Sequence, residues 1–108
     1  MTKKILLVCG AGASSGFMAA AARKAAKKAG LNYEIKAKSE SELVESLPGL
    51  DLLLVAPHLS YMIDETKRDC EAYNVAYALI PKKIYGTLDG NGLVVLINEK
   101  IGNQAWKR

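Results

Sequence analysis

Between Lys3 and Gly16 the chain changes character twice. The run Lys3-Lys4-Ile5-Leu6-Leu7-Val8 ends in Cys9, seven small residues follow, and a helical pattern sets in at Phe17. An apolar run of this length, bounded by glycines, reads as a buried strand. The small residues Gly10, Ala11, Gly12, Ala13, Ser14, Ser15 and Gly16 let the backbone turn tightly and bring its N–H groups close to a guest. The helix that follows, roughly Gly16 to Ala29, points its N-terminus back at that turn. Unpaired N–H groups and the positive end of the helix dipole then gather around Cys9, an arrangement that suits an anion. The same field favours thiolate over thiol. The ordinary reading of a free cysteine is a small buried hydrophobe. Cys9 departs from it because it is the last strand residue, and in open parallel sheets ligands bind outside the carboxyl ends of strands. The pattern predicts a nucleophilic sulfur inside a phosphate cradle.

At 108 residues the chain is expected to form one domain over residues 1–108, with a single core. The net charge of +4 suggests an anionic substrate or an acidic partner protein. No basic stripe interleaved with aromatic residues appears, and Phe17 is the only phenylalanine, so a nucleic-acid partner is not expected. Cys9 and Cys70 stand far apart, with no C-x-x-C spacing and a single histidine, so neither a zinc site nor a disulfide framework is suggested. The first apolar run is too short for a signal peptide, and no run approaches membrane-spanning length. The expectation is a cytoplasmic protein with reduced thiols.

Four strand-like runs alternate with helix-like runs, the mark of a parallel α/β sheet. Gly30 suits the residue just past the first helix. From Asn32 to Lys38, Tyr33, Ile35 and Ala37 alternate with Glu34, Lys36 and Lys38, which predicts a half-exposed edge strand. Ser39 with Glu42 three residues on reads as a capping box, opening a short helix to about Leu47 that Pro48-Gly49 stops. Asp51 to Ala56 is apolar without alternation, as in a central strand covered on both faces. Pro57-His58-Leu59-Ser60 is expected to be a loop on the same rim as Cys9. A helix from about Tyr61 to Tyr73, a strand from Val75 to Ile80, a loop from Lys82 to Leu88 and a helix from about Gly90 to Ala105, capped by Asp89, complete the chain. Val94-Val95 argues weakly for strand, and Gly90 and Gly92 lower helix propensity there. These rules give an α/β fold: an open four-stranded parallel sheet of order 2-1-3-4 with helices on both faces. Its topological switch lies beside the Cys9 loop.

Several phosphate motifs are absent. A Walker loop needs Gly-Lys-Ser/Thr, and no lysine occurs between Lys4 and Lys24. Gly10, Gly12 and Gly16 are spaced one residue too long for the dinucleotide fingerprint. A cysteine phosphatase places an arginine six residues after its nucleophile to grip the phosphoryl oxygens, and here that position is Ser15. Backbone amides without a fixed cation hold a phosphoryl group but are poorly equipped to drive its hydrolysis. A phosphocysteine that survives until an acceptor arrives is the behaviour of a carrier. Two alternatives stay open: a hydrolase related to the low-molecular-weight phosphatases, and a non-catalytic flavodoxin-like binding module.

The Cys-x-x-Gly-x-Ser-Ser pattern from Cys9 to Ser15 resembles the IIB component of the phosphoenolpyruvate-dependent sugar phosphotransferase system, in its lactose/cellobiose group. Ala56-Pro57-His58-Leu59-Ser60-Tyr61-Met62 and Tyr85-Gly86-Thr87-Leu88-Asp89-Gly90 are similar to stretches of the same group. The resemblance implies a phosphoryl relay. Cys9 would accept a phosphoryl group from a phosphohistidine on a IIA partner and pass it to a sugar, of the β-linked disaccharide class, bound by the membrane IIC component. Such a transferase would visit the inner face of the membrane through IIC. The resemblance assigns Gly10 to Gly16 to the loop around the phosphoryl group, with the Ser14 and Ser15 hydroxyls as further donors, and it calls for no cofactor or metal. The chain departs from the usual pattern at Gly10 and Gly16, where serine is common, at Ala13, where methionine is, and at His58, where glutamine is.

His58 and Tyr61 are the rim candidates for contact with a phosphoryl group, against plainer readings as a surface histidine and a packed ring with a wet hydroxyl. Cys70, in the middle of a helix, reads as an ordinary small side chain. Arg23, Lys24, Lys27 and Lys28 suit either a docking patch or a solvated helix end whose dipole favours cations.

Overall fold

The computed structural model describes residues 3–9 and 15–106. In chain order they form β1 (Lys3–Cys9), α1 (Ser15–Lys28), β2 (Tyr33–Ser39), a 3-10 turn (Glu40–Glu42) leading into α2 (Leu43–Ser46), and β3 (Leu52–Val55). A second 3-10 segment (Pro57–Met62), α3 (Ile63–Ala72), β4 (Ala76–Leu79), α4 (Lys82–Gly86) and α5 (Gly90–Trp106) follow. The strands make one parallel sheet in the order β2-β1-β3-β4, as the alternation of elements predicts.

The alternation of side chains explains the two layers. Ile5 and Leu7 of β1, Leu52 and Leu54 of β3 and Ile35 of β2 pack under Met18, Ala19, Ala22 and Ala26 of α1 and Leu93, Val94 and Ile97 of α5. The intervening residues Leu6, Val8, Leu53 and Val55 meet Leu43 and Leu47 near α2, Leu59, and Cys70 of α3. A strand covered on both faces needs no polar residue, and all four residues of β3 are buried. At about 1.5–3 kcal/mol for each fully buried Leu or Val, this central strand outweighs any single surface contact. In β2 the second face stays open because α2 is one turn long. Lys36 and Lys38 instead line a groove of about 390 Å³ with Glu45 and Ser46. Their exposure makes β2 the edge that its sequence predicts.

Helix ends follow their chemistry. Gly30, with φ 74°, closes α1: its N–H donates to Lys27 O at 3.1 Å and that of Leu31 donates to Ala26 O at 2.9 Å, the Schellman pair. Asn74 (φ 57°) closes α3 the same way, with Val75 N–H on Cys70 O at 2.9 Å. Asp89 caps α5 through Oδ1, which accepts the Gly92 N–H at 2.9 Å. The run from Lys82 onward, expected to be a loop, instead forms α4, with Pro81 in extended conformation at its N-cap. Pro57 to Ser60, also expected to be a loop, winds into a 3-10 segment, and regular α3 begins only at Ile63. The capping box at Ser39 does not form, since α2 starts after Glu42 and has no side-chain cap. Val94 and Val95 lie inside α5.

Candidate functional site

The carboxyl rim of the sheet gathers the chemistry. β1 ends at Cys9, which stands opposite Ser39, the last residue of β2. On its other side Val8 pairs with Val55, and the Ala56 N–H donates to Val8 O at 3.0 Å. One strand further, Ile80 N–H donates to Val55 O at 2.8 Å. These bonds level the strand ends, so Cys9, Ser39, Ala56-Pro57 and Ile80-Pro81 share one edge. The Cys9 position is central on it. α1 begins at Ser15, six residues on, which brings a helix N-terminus to the same edge. The expected phosphate loop from Gly10 to Ser14 lies outside the described residues.

Around the rim, Tyr61 on the 3-10 segment is 75% exposed and Phe17, in the first turn of α1, is 71% exposed. His58 belongs to the same 3-10 segment, directly after Pro57. α4 adds the exposed Lys82 and Lys83. The resulting edge carries aromatic surface and cations, a combination that suits an anionic group presented by a partner protein. Ser39 is the residue that sequence reasoning missed here. Its type fitted a capping box, and only the strand register reveals it as the neighbour of Cys9.

The remaining candidates separate from the rim. Cys70 is fully buried between α3 and the sheet, and desolvation, with the Asp69 charge adding to it, pushes its thiol up to about 11. Such a thiol is inert. Arg23 is not a free docking cation, because its Nη1 donates to Ile35 O at 2.9 Å on the outer edge of β2. The Tyr33 hydroxyl donates to Asn98 Oδ1, tying β2 to α5, and burial raises the Tyr33 pKa. Among the described residues no three His, Cys, Asp or Glu side chains are grouped to hold a metal. No described helix is long and apolar enough to cross a membrane.

Comparison with known proteins supplies the family. The family described as "PTS system, Lactose/Cellobiose specific IIB subunit" matches residues 4–95. The chain belongs to this IIB family. It is 30% identical over 88 residues to the oligo-beta-mannoside-specific EIIB component of Bacillus subtilis, covering 82% of this chain and 85% of that one. It is 25% identical over 92 residues to the lactose-specific EIICB component of Lacticaseibacillus casei, covering 85% of this chain and 16% of that longer protein. The name of that relative joins IIC and IIB in one component. Among solved structures, the cellobiose-specific IIB protein of Borrelia burgdorferi superposes with a TM-score of 0.80 at 28% identity, covering 96% of this chain and 95% of that one. The lactose-specific IIB domain of Streptococcus pneumoniae shares the fold at a TM-score of 0.84 and 18% identity, covering 93% and 98%. As a IIB, the chain is a phosphotransferase-system component, and it shares its fold with solved IIB structures.

Proposed function

We propose that this IIB chain is a phosphocarrier in which Cys9 takes a phosphoryl group from the phosphohistidine of a IIA protein. Cys9 then delivers it to a sugar, of the β-linked disaccharide class, held by a membrane IIC component. The reaction is a transfer in two displacements. In the first, the thiolate attacks phosphorus and the imidazole nitrogen leaves. In the second, a sugar hydroxyl attacks phosphorus, its proton passing to solvent, and the thiolate leaves. The observation that carries this reading is the place of Cys9: the end of a central parallel strand, level with its neighbours and followed within six residues by a helix N-terminus. Backbone amides of the loop from Gly10 to Gly16, with the Ser14 and Ser15 hydroxyls, are the proposed donors to the phosphoryl oxygens. The absence of an arginine at position 15 supports storage rather than hydrolysis.

The test is the intact mass of the chain after incubation with phosphoenolpyruvate, the general relay proteins and a IIA. The expected result is one added phosphate, released by iodine, on the wild type and on Cys70→Ser. Cys9→Ser is expected to keep its fold and gain none. Phosphorylation that survives in Cys9→Ser overturns the assignment. Steady turnover of p-nitrophenyl phosphate would replace the carrier by a hydrolase.

A further inference from the structure

Among the described residues the ladder of β1 with β2 reaches Cys9 and sets Ser39 opposite it, whereas the ladder of β1 with β3 stops at Val8. Adjacent strands lie about 4.8 Å apart, and residues paired across parallel strands share a face of the sheet, so Ser39 is the β2 residue level with position 9. The Ser39 hydroxyl is already engaged. Its Oγ is 2.9 Å from the Ser41 Oγ and donates to Glu42 Oε2 over a long 3.4 Å. These contacts do nothing for α2, which has no side-chain cap. A hydroxyl has one hydrogen, and a 3.4 Å bond to a carboxylate is weak enough to exchange.

We propose that Ser39 is a positioning residue for the sulfur of Cys9: its hydroxyl hydrogen rests on Glu42 and turns to the anion at position 9. That anion is the thiolate before transfer and a phosphoryl oxygen after it. No covalent bond is made or broken by Ser39. The phosphoryl half rests on the phosphocarrier reading, whereas the thiolate half stands without it. A hydrogen bond to the charged form lowers the pKa of an acid, and a more abundant thiolate reacts faster. Glu42 opposes this in two ways, by holding the hydrogen and by its own negative charge. Among the described residues the other titratable groups at this rim are Lys38 on the β2 side, Tyr61 after β3, and Lys82 and Lys83 after β4, while Glu40 and His58 follow β2 and β3 in sequence. None of them is altered by the substitutions below.

The measurement is the rate of alkylation of Cys9 by iodoacetamide between pH 5 and 9, read peptide by peptide so that the buried Cys70 does not contribute. The expected result for Ser39→Ala is a midpoint raised by about one unit, which is roughly a tenfold slower reaction below the midpoint. Ser39→Thr, which keeps the hydroxyl, should restore the wild-type curve, and Glu42→Gln should lower the midpoint. A merely structural role for Ser39 would change the melting temperature and leave the midpoint alone. An unchanged midpoint in a folded Ser39→Ala overturns the inference, as does a failure of threonine to rescue. Should Cys9 take no phosphoryl group from the relay while Ser39→Ala still shifts the titration, the carrier reading falls and this inference stands.

Discussion

Gly90, the first residue of α5, lies against the backbone of Ala21 in α1: a Cβ on Gly90 would fall 2.3 Å from the Ala21 carbonyl oxygen. That contact is backbone on backbone and has no flexible end to yield. Alanine-rich α1 supplies the other half of the approach, since Ala21 and Ala25 present little beyond Cβ. Gly90→Ala is therefore expected to force α5 away from α1 and to destabilise the fold by about 1–3 kcal/mol, as overpacking does. Helix propensity alone favours alanine over glycine by up to about 1 kcal/mol, so the sign of the change decides which effect wins. Urea denaturation of the variant, with the midpoint compared at constant slope, measures it.

The turn between α4 and α5 holds Leu88 at φ 52°, in the left-handed region, while the Asp89 N–H donates to Ile84 O at 3.0 Å. Glycine is the residue for that place, as Gly30 shows after α1. A left-handed L-residue costs about 1–2 kcal/mol, and part of that is offset here because the Leu88 side chain is still more than half covered. Leu88→Gly is expected to destabilise the protein slightly, by about 0.5 kcal/mol, because lost apolar contact and a freer unfolded chain together outweigh the relief of strain. A raised melting temperature would show that the backbone strain matters more than the covered part of the side chain.

Phe17 and Tyr61 are large rings left in water on the rim that carries Cys9. Neither belongs to the apolar clusters on the two faces of the sheet. Truncating either should change stability by no more than about 0.5 kcal/mol. If they dock the phosphoryl donor, Phe17→Ala and Tyr61→Ala should raise the concentration of this chain needed for half-maximal transfer from IIA. The alkylation rate of Cys9 should stay at its wild-type value. Unchanged transfer kinetics in the double variant would remove the rings from the interface.

What the sequence could not say differs from place to place for physical reasons. The order of the strands was legible because hydrophobic alternation reports coverage: β3 is apolar throughout and lies between two layers, whereas β2 alternates and lies at the edge. The cap by Asp89 was legible because a cap is local. α4 was not, since Lys82 to Gly86 is too short to display a helical period. Ser39 and Glu42 have the residue types of a capping box, yet Ser39 is held in the ladder opposite Cys9, and strand pairing overrode the local motif. Gly90 and Gly92 counted against a helix when propensity alone was weighed. In the structure they are where α1 and the Asp89 carboxylate come too close for a Cβ. The placement of Cys9 at the carboxyl edge was readable from one dimension. The bond from Arg23 to Ile35 was not, because it joins a helix to the far side of the next strand.

Cys70 provides the clearest dependence on pH. Its ordinary pKa is 9.0, and in the folded chain desolvation, with the Asp69 charge adding to it, raises that to about 11. Below pH 9 both folded and unfolded chains hold the proton, so this group leaves stability unaffected. Between 9 and 11 the unfolded chain releases the proton while the folded chain keeps it, and stability falls as pH rises, by up to about 1.4 kcal/mol per pH unit. Above 11 the loss is complete. Cys70→Ala removes the titration and leaves a small cavity among Leu6, Leu53 and Val75. At pH 8 the variant should accordingly be the less stable of the two. The gap should then narrow steadily as pH approaches 10.5, because only the wild type carries the thiol. Urea denaturation of both proteins across that range gives the difference directly, and the other titrating groups cancel in it. A gap that stays constant would mean that the buried thiol titrates at its ordinary value.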